Sequence, residues 1–198
     1  MPGMVRPIEA ARAMPSALLA AVLLTGACAG EAPVFRDLAG AVVDPWPGTG
    51  HAVTVWVFVT TDCPISNAYA PEIAAIERDL RARGGRLIVV HTDASRSHEQ
   101  RAEHARAYGL GGPVIADPSG ALVRHAGASV TPEAAVFDAD GVLRYRGRID
   151  DRYRDLGTRR PEPTTRDLRV AIDAVVRGDP VGTPRTDAVG CVIEGASG

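Results

Sequence analysis

Val53-Thr-Val-Trp-Val-Phe-Val-Thr-Thr-Asp-Cys-Pro-Ile-Ser66 is the stretch on which the reading of the fold turns. Residues 53–60 are β-branched and aromatic, and apolar side chains fall on both faces of the alternation. A half-exposed strand alternates apolar with polar, so this one is predicted to be central and covered on both sides. Cys63 follows three residues after the strand, at the predicted start of a helix, with Pro64 next to it. Unpaired backbone N–H groups and the helix dipole converge at such a point, and both favour a thiolate, the nucleophilic form of cysteine. Ser66, one turn further on, is placed to donate a hydrogen bond to the sulfur, and Thr60 offers a second hydroxyl from the strand end. Asp62 acts the other way, because a neighbouring carboxylate disfavours a second negative charge. A buried structural cysteine is the alternative reading of Cys63.

Outward from this corner the pattern alternates. Ile73, Ile76 and Leu80 mark a helix over 72–83, ended by Gly84-Gly85. Residues 86–91 form a second strand of buried type. Ser97-His-Glu-Gln100 has the spacing of a capping box and opens a helix running to about Tyr108. Residues 113–116 are a short extended piece. Residues 134–137 and 142–146 flank Asp138-Ala-Asp-Gly141, a hairpin signal, and Leu168, Ala171, Ile172, Val175 and Val176 form a helix closed by Gly178 and Pro180. The order β-α-β-α-β-β-α predicts an α/β fold in three layers, with a central mixed sheet flanked by helices. Arg159-Arg-Pro-Glu-Pro163 reads as a surface loop, and 179–198 as an irregular, Gly-rich tail.

With 198 residues, the chain has room for one domain of ordinary size. Its 22 cations, all arginine, meet 24 carboxylates for a net charge of −2, so there is no basic excess for nucleic acid. Three cysteines are too few for a disulfide-dense scaffold or a four-cysteine zinc module. Arg6 and Arg12 precede an apolar run too short to span a bilayer, and small residues around Cys28 close it; residues 1–29 therefore read as a secretory signal, with an uncut membrane anchor as the alternative. Cys28 is also a candidate lipid acceptor, although Thr25 stands where such sites usually carry Leu. The expected domain spans 30–178, with a tail over 179–198 that holds Cys191. Removal of the leader to residue 27 leaves 20 arginines against 23 carboxylates, and the exported domain would work in the periplasm or envelope, where disulfides persist.

The residues resemble a family. Thr60-Thr-Asp-Cys-Pro-Ile-Ser66 with Pro71 eight residues after the cysteine is similar to the active-site helix of the thioredoxin superfamily. Val130-Thr-Pro-Glu-Ala-Ala-Val-Phe137 resembles its cis-proline loop and following strand, and Asp140-Gly-Val-Leu-Arg-Tyr-Arg-Gly147 its edge hairpin. The likeness is greatest to the redoxin branch, the alkyl hydroperoxide reductase/thiol-specific antioxidant proteins, and covers about residues 33–178. It implies a thioredoxin-like fold, no cofactor, and a thiol oxidoreductase in which Cys63 is the nucleophile and Pro132 lies beside the sulfur. Asp62 stands where thioredoxins carry Trp, Ser66 where they carry a second Cys, and Trp56 where peroxiredoxins carry Pro. A thiol must then resolve the reacted Cys63 from elsewhere. Cys191, in Val189-Gly-Cys-Val-Ile193, is the internal candidate; the alternatives are a thiol reductant or an envelope redox protein.

A hydroperoxide and a protein disulfide both fit as substrates, with Thr60 leaning toward the former. A peroxidatic cysteine is typically assisted by an arginine, and Arg144, Arg146 and Arg148 share one face of a strand; a solvent-facing edge accounts for them equally. His91 and His125 are candidates to face the sulfur, whereas His98 and His104 read as solvated. Asp150-Asp151 reads first as a solvated loop and second as a cation site. Two further readings stand beside the enzyme: a copper chaperone of Sco-like type using Cys63, Cys191 and a histidine, and a catalytically silent module that binds a redox partner.

Overall fold

The computed structural model describes residues 34–195, so the predicted leader and Cys28 lie outside the described residues. In chain order the elements are β1 (Phe35–Arg36), β2 (Val42–Val43), β3 (Val53–Val59), α1 (Pro64–Arg81), β4 (Arg86–His91), α2 (His98–Ala107), β5 (Val114–Ala116), α3 (Ala121–Ala126), β6 (Val130–Thr131), β7 (Glu133–Asp138), β8 (Leu143–Gly147), α4 (Asp167–Arg177) and β9 (Cys191–Val192).

The predicted central strand lies in the middle of a five-stranded sheet of order β5-β4-β3-β7-β8. β3 runs parallel to β4, which runs parallel to β5, while β7 is antiparallel to both β3 and β8. The alternation of β3 then builds two cores. Val53, Val55, Val57 and Val59 pack with Ile73, Ile76 and Leu80 of α1 and Leu168 and Ile172 of α4. Trp56 and Phe58 point to the other face, where Leu122 and Val123 of α3 and Phe35 meet them. Helix, mixed sheet and helix form the three layers expected. Every residue of β3 is buried, and each large apolar side chain so covered contributes about 1.5–3 kcal/mol. Trp56 also donates its Nε1–H to the Pro45 carbonyl at 3.0 Å, which satisfies its polar edge inside the core.

Three segments depart from expectation. First, α1 is continuous from Pro64 through Pro71, so the stripe over 72–83 is only its second half; Ile65 and Tyr69 extend the same buried face back to Cys63. Second, the short helix α3 escaped the sequence reading. Asp117 builds it from four residues upstream, its Oδ1 accepting the Ala121 N–H at 2.8 Å and its Oδ2 those of Leu122 and Val123 at 2.8 and 3.0 Å. Third, Asp150 and Asp151 are buried and not solvated. Asp150 accepts from the Tyr69 hydroxyl and the Arg152 N–H; Asp151 accepts from Thr164, Thr165 and Arg160. Their carboxylates hold the loop between β8 and α4; Asp150 Oδ2 has no hydrogen-bond partner and lies 3.9 Å from the Arg152 guanidinium, which supplies its counter-charge. The predicted hairpin is present, with Asp138 Oδ1 accepting from Asp140 and Val142 N–H.

Candidate active site

Cys63 caps α1. Its backbone is extended, Pro64 begins the helix, and its sulfur accepts the Ser66 N–H at 3.5 Å. The side chain is 1% exposed, yet the surroundings are polar. The thiol donates to the Thr131 carbonyl at 3.0 Å, beside the cis Thr131-Pro132 peptide. Two β-elements far apart in sequence thus meet at one atom: the end of β3 brings the helix terminus, and β6 brings the proline loop.

The second thiol arrives on β9. This strand pairs antiparallel with β6, in register Thr131 opposite Cys191 and Val130 opposite Val192. Cys191 packs against the core cluster that contains Cys63; both cysteines are free thiols. Burial pushes the Cys63 pKa up, but hydrogen bonds from the Cys191 thiol, the Ser66 side chain and the Ser66 and Cys191 backbones outweigh it, and the net shift is downward. The Ser66 hydroxyl has no partner among the neutral groups around it, which leaves it free to turn to a charged sulfur. Burial, then the hydrogen bond and charge of Cys63, push Cys191 up to about 11. The pair is therefore asymmetric: Cys63 ionises first. Thr60 does not bond the sulfur; its hydroxyl pairs with that of Thr131 at 3.2 Å and ties the strand end to the proline loop. Glu133 fixes the loop from the other side, accepting the Ser129 N–H at 2.7 Å.

A buried polar network behind the 60–63 turn escaped the sequence reading. Asp93 Oδ2 accepts the Thr61 N–H and hydroxyl at 2.9 and 2.7 Å, and its Oδ1 lies 3.3 Å from His91 and 3.5 Å from Arg101. Asn67 donates to the Thr61 carbonyl at 3.1 Å and turns its Oδ1 to His104 Nε2 at 2.8 Å, so the network assigns the proton to that nitrogen. His104 is thus buried and not solvated as expected, and burial and His91 lower its pKa. The residue it serves, Asn67, lies one helical turn past Cys63; a histidine four residues after Gln100 gave no sign of that long-range partner.

Burial raises the Asp93 carboxyl's pKa, but the His91 contact and the two Thr61 donors outweigh it and hold the group well below the usual carboxylate range. A lowered pKa means that Asp93 stabilises the fold above pH about 4, its unfolded value, and that this contribution fades as pH falls. Asp93→Asn is expected to cost about 1–3 kcal/mol at pH 7. The difference from the native chain should shrink with acidification in urea melts recorded from pH 7 to 3; a difference constant with pH would show that the charge is not what matters.

The remaining candidates lie elsewhere. His91 faces Asp93 and His104, whose ring centroid is 5.1 Å away. His125 packs on Trp46 and Trp56 in the opposite core. Arg144, Arg146 and Arg148 are held by Asp138, Glu133 and Asp167. Asp62 is exposed and pairs with Arg96. A Cys63–Cys191–His copper site finds no third ligand in this arrangement, and among the described residues no cluster of three or more His, Cys, Asp or Glu is disposed to hold a metal.

A cysteine capping the helix after the central strand, set against a cis-proline loop on a mixed sheet, defines a thioredoxin-fold protein of the redoxin branch. A family model described as Redoxin matches residues 26–158, and the chain belongs to that family. Its redoxin-type fold goes with oxidoreductase function in general. Among solved structures, the chain is similar to a hypothetical protein from Sinorhizobium meliloti 1021, with 26% identity and a TM-score of 0.70, covering 83% of this chain and 91% of that one. It is also similar to an uncharacterized conserved protein from Geobacillus kaustophilus, with 25% identity and a TM-score of 0.68, covering 81% and 86%. A secreted Mycobacterium tuberculosis disulfide oxidoreductase homologous to E. coli DsbE shares the fold, at 18% identity and a TM-score of 0.52 over 71% and 94% of the two chains. No curated protein matches the chain.

Proposed function

We propose that the protein is an exported thiol oxidoreductase that exchanges disulfides with a protein partner, with Cys63 as nucleophile and Cys191 as resolving thiol. The observation that supports this reading is the register of β9 on β6, in which the residue opposite Cys191 is Thr131, the one whose carbonyl accepts from the Cys63 thiol. In the reducing direction the Cys63 thiolate attacks one sulfur of the partner's disulfide. That S–S bond breaks, a mixed disulfide forms, and the partner's other sulfur leaves as a thiolate. Cys191 then loses its proton and attacks the Cys63 sulfur. The Cys63–Cys191 bond forms, and the partner's second thiolate leaves and takes up a proton. Two electrons pass to the partner, and an external dithiol returns them.

The asymmetry of the pair suits this order. Part of the upward push on Cys191 comes from the hydrogen bond and charge of Cys63. Both vanish once Cys63 is in a mixed disulfide, so Cys191 ionises more readily when its own attack is due. Ser66 and the helix N–H groups stabilise the thiolate, Pro132 shapes the groove, and Thr60 braces Thr131. Disulfide exchange is favoured over peroxide reduction because the groups that would polarise an O–O bond are committed: the Thr60 hydroxyl to Thr131 and the three arginines to carboxylates. The basic, apolar and small-residue order of residues 1–29 supports export, with Cys28 as the candidate lipid acceptor, and the domain follows to 178 with the tail beyond it.

Turnover of a protein disulfide and of a hydroperoxide, measured side by side, tests the reading. Cys191→Ser is expected to accumulate the Cys63 mixed disulfide, visible by non-reducing mass spectrometry, whereas native protein gives an intramolecular Cys63–Cys191 bond. Unchanged turnover in Cys191→Ser would remove Cys191 from the mechanism, and faster peroxide turnover would reverse the substrate preference. Cys191→Ala also removes a donor to the thiolate, so the Cys63 pKa should rise; the midpoint of its alkylation rate against pH reads this directly.

A further inference from the structure

We infer that residues 187–193 are a latch, hinged after Thr186, which shuts Cys63 in and must open before an outside substrate reaches the sulfur. The inference rests on the redox reading of Cys63 and concerns the control of access to it.

The tail was expected to be irregular, but it is attached in two separable parts, one to the five-stranded sheet and one to β6. The first is a staple along β8. The Arg146 N–H donates to the Pro184 carbonyl at 3.0 Å, and the Thr186 N–H to the Arg146 carbonyl at 3.2 Å. The Thr186 hydroxyl bonds that of Tyr145 at 2.7 Å and accepts the Arg148 N–H at 3.1 Å. Gly147 makes this approach possible: a side chain there would overlap Thr186. The second part is the latch. It has the two-residue pairing of β9 with β6, one bond from the Ile193 N–H to the Ser129 carbonyl at 3.0 Å, and the Ile193 side chain buried in the core with Trp56 and Leu122. Gly190 lies flat on the Thr131-Pro132 peptide, and a Cβ at this position would overlap the Thr131 carbonyl oxygen. Backbone cannot swing aside as a flexible side chain can.

Geometry gives the latch its task. With it closed, Cys63 is 1% exposed, and Cys191 pairs opposite Thr131, whose carbonyl accepts from the Cys63 thiol, so that β9 covers the approach to the sulfur. A partner disulfide needs that approach, so β9 has to leave and later return to resolve. The short ladder makes opening a local event that does not require unfolding of the domain. The staple at 184–186 keeps the released segment close and ensures its return.

The test is the alkylation rate of Cys63 with iodoacetamide in the full chain, resolved by peptide mass spectrometry. In native protein Cys63 should react slowly for a thiol with a lowered pKa. Gly190→Val should raise the rate by at least about tenfold, because the closed state is sterically denied. Ile193→Asp should act in the same direction by disfavouring the buried plug. Loss of the Cys191 hydrogen bond raises the Cys63 pKa and by itself slows alkylation, so a gain reports access. Circular dichroism confirms that each variant is folded; should Gly190→Val not fold, Ile193→Asp decides. Equal rates in native and folded latch variants would overturn the latch. Faster alkylation without disulfide turnover in any form would keep the latch and overturn the catalytic reading. Turnover with unchanged alkylation would do the reverse.

Discussion

Serine at position 63 leaves disulfide reduction at the background rate of uncatalysed exchange, a loss of more than about a thousandfold, while the fold is retained. The contacts of the site converge on the Cys63 sulfur: the Ser66 N–H donates to it, and the Thr131 carbonyl accepts a hydrogen bond from its thiol. A hydroxyl at this point is too weak an acid to take over the attack. The structural outcome separates the two roles of the residue. Cys63 is the N-cap of α1, and serine is among the favoured N-cap residues. Its hydroxyl is also able to donate to the Thr131 carbonyl. The thermal midpoint of Cys63→Ser is therefore expected to stay within a degree or two of native or to rise, since a good cap contributes about 1 kcal/mol. Retained turnover would remove Cys63 from the chemistry, and a collapsed midpoint would assign it to the core.

Trp56→Ala carries the largest expected cost to stability, about 3–5 kcal/mol for a fully buried aromatic. Trp56 is completely buried, and its ring contacts Phe137 at 4.6 Å, Phe58 at 6.2 Å and His125 at 5.6 Å between centroids. Alanine leaves a cavity between the sheet and α3, and it strands the Pro45 carbonyl that Trp56 now satisfies. In a domain of this size the thermal midpoint should fall by roughly 6–20 °C. Differential scanning calorimetry reads the change, and a loss under about 1 kcal/mol would mean that the site can collapse around the smaller side chain. In the resemblance to peroxiredoxins, position 56 was an odd substitution for proline. Structurally it is the keystone of the second core.

The fold was legible because β3 carries its message in one local pattern. Seven consecutive buried residues that alternate between two cores cannot be an edge strand. The capping box of α2 is equally local, and both of its hydrogen bonds are present. Cys63 was legible for the same reason: strand, turn, cysteine and proline are consecutive. What lay hidden depends on partners distant in the chain. Asp117 caps α3 from outside the helix, and Asp93 reaches back 32 residues to Thr61. His104 looked solvated because the remainder of α2 is polar, and only the packing of α2 against α1 reveals Asn67 as its partner. Cys191 stood on a Gly-rich tail with no strand periodicity. Two residues pairing with a two-residue strand make too short an alternation to be recognised. Gly190 read only as one residue of a Gly-rich tail, whereas in the fold it lets two backbones touch.

Ile193 shares its core with Trp56, and Trp46 packs against the same cluster. These are the only two tryptophans in the chain, and His125 lies against both rings. The protein thus contains its own optical reporter. Withdrawal of Ile193 admits water beside the indoles and alters their emission without any added dye. Stopped-flow fluorescence then times the movement of the tail on the same sample in which thiol chemistry is followed.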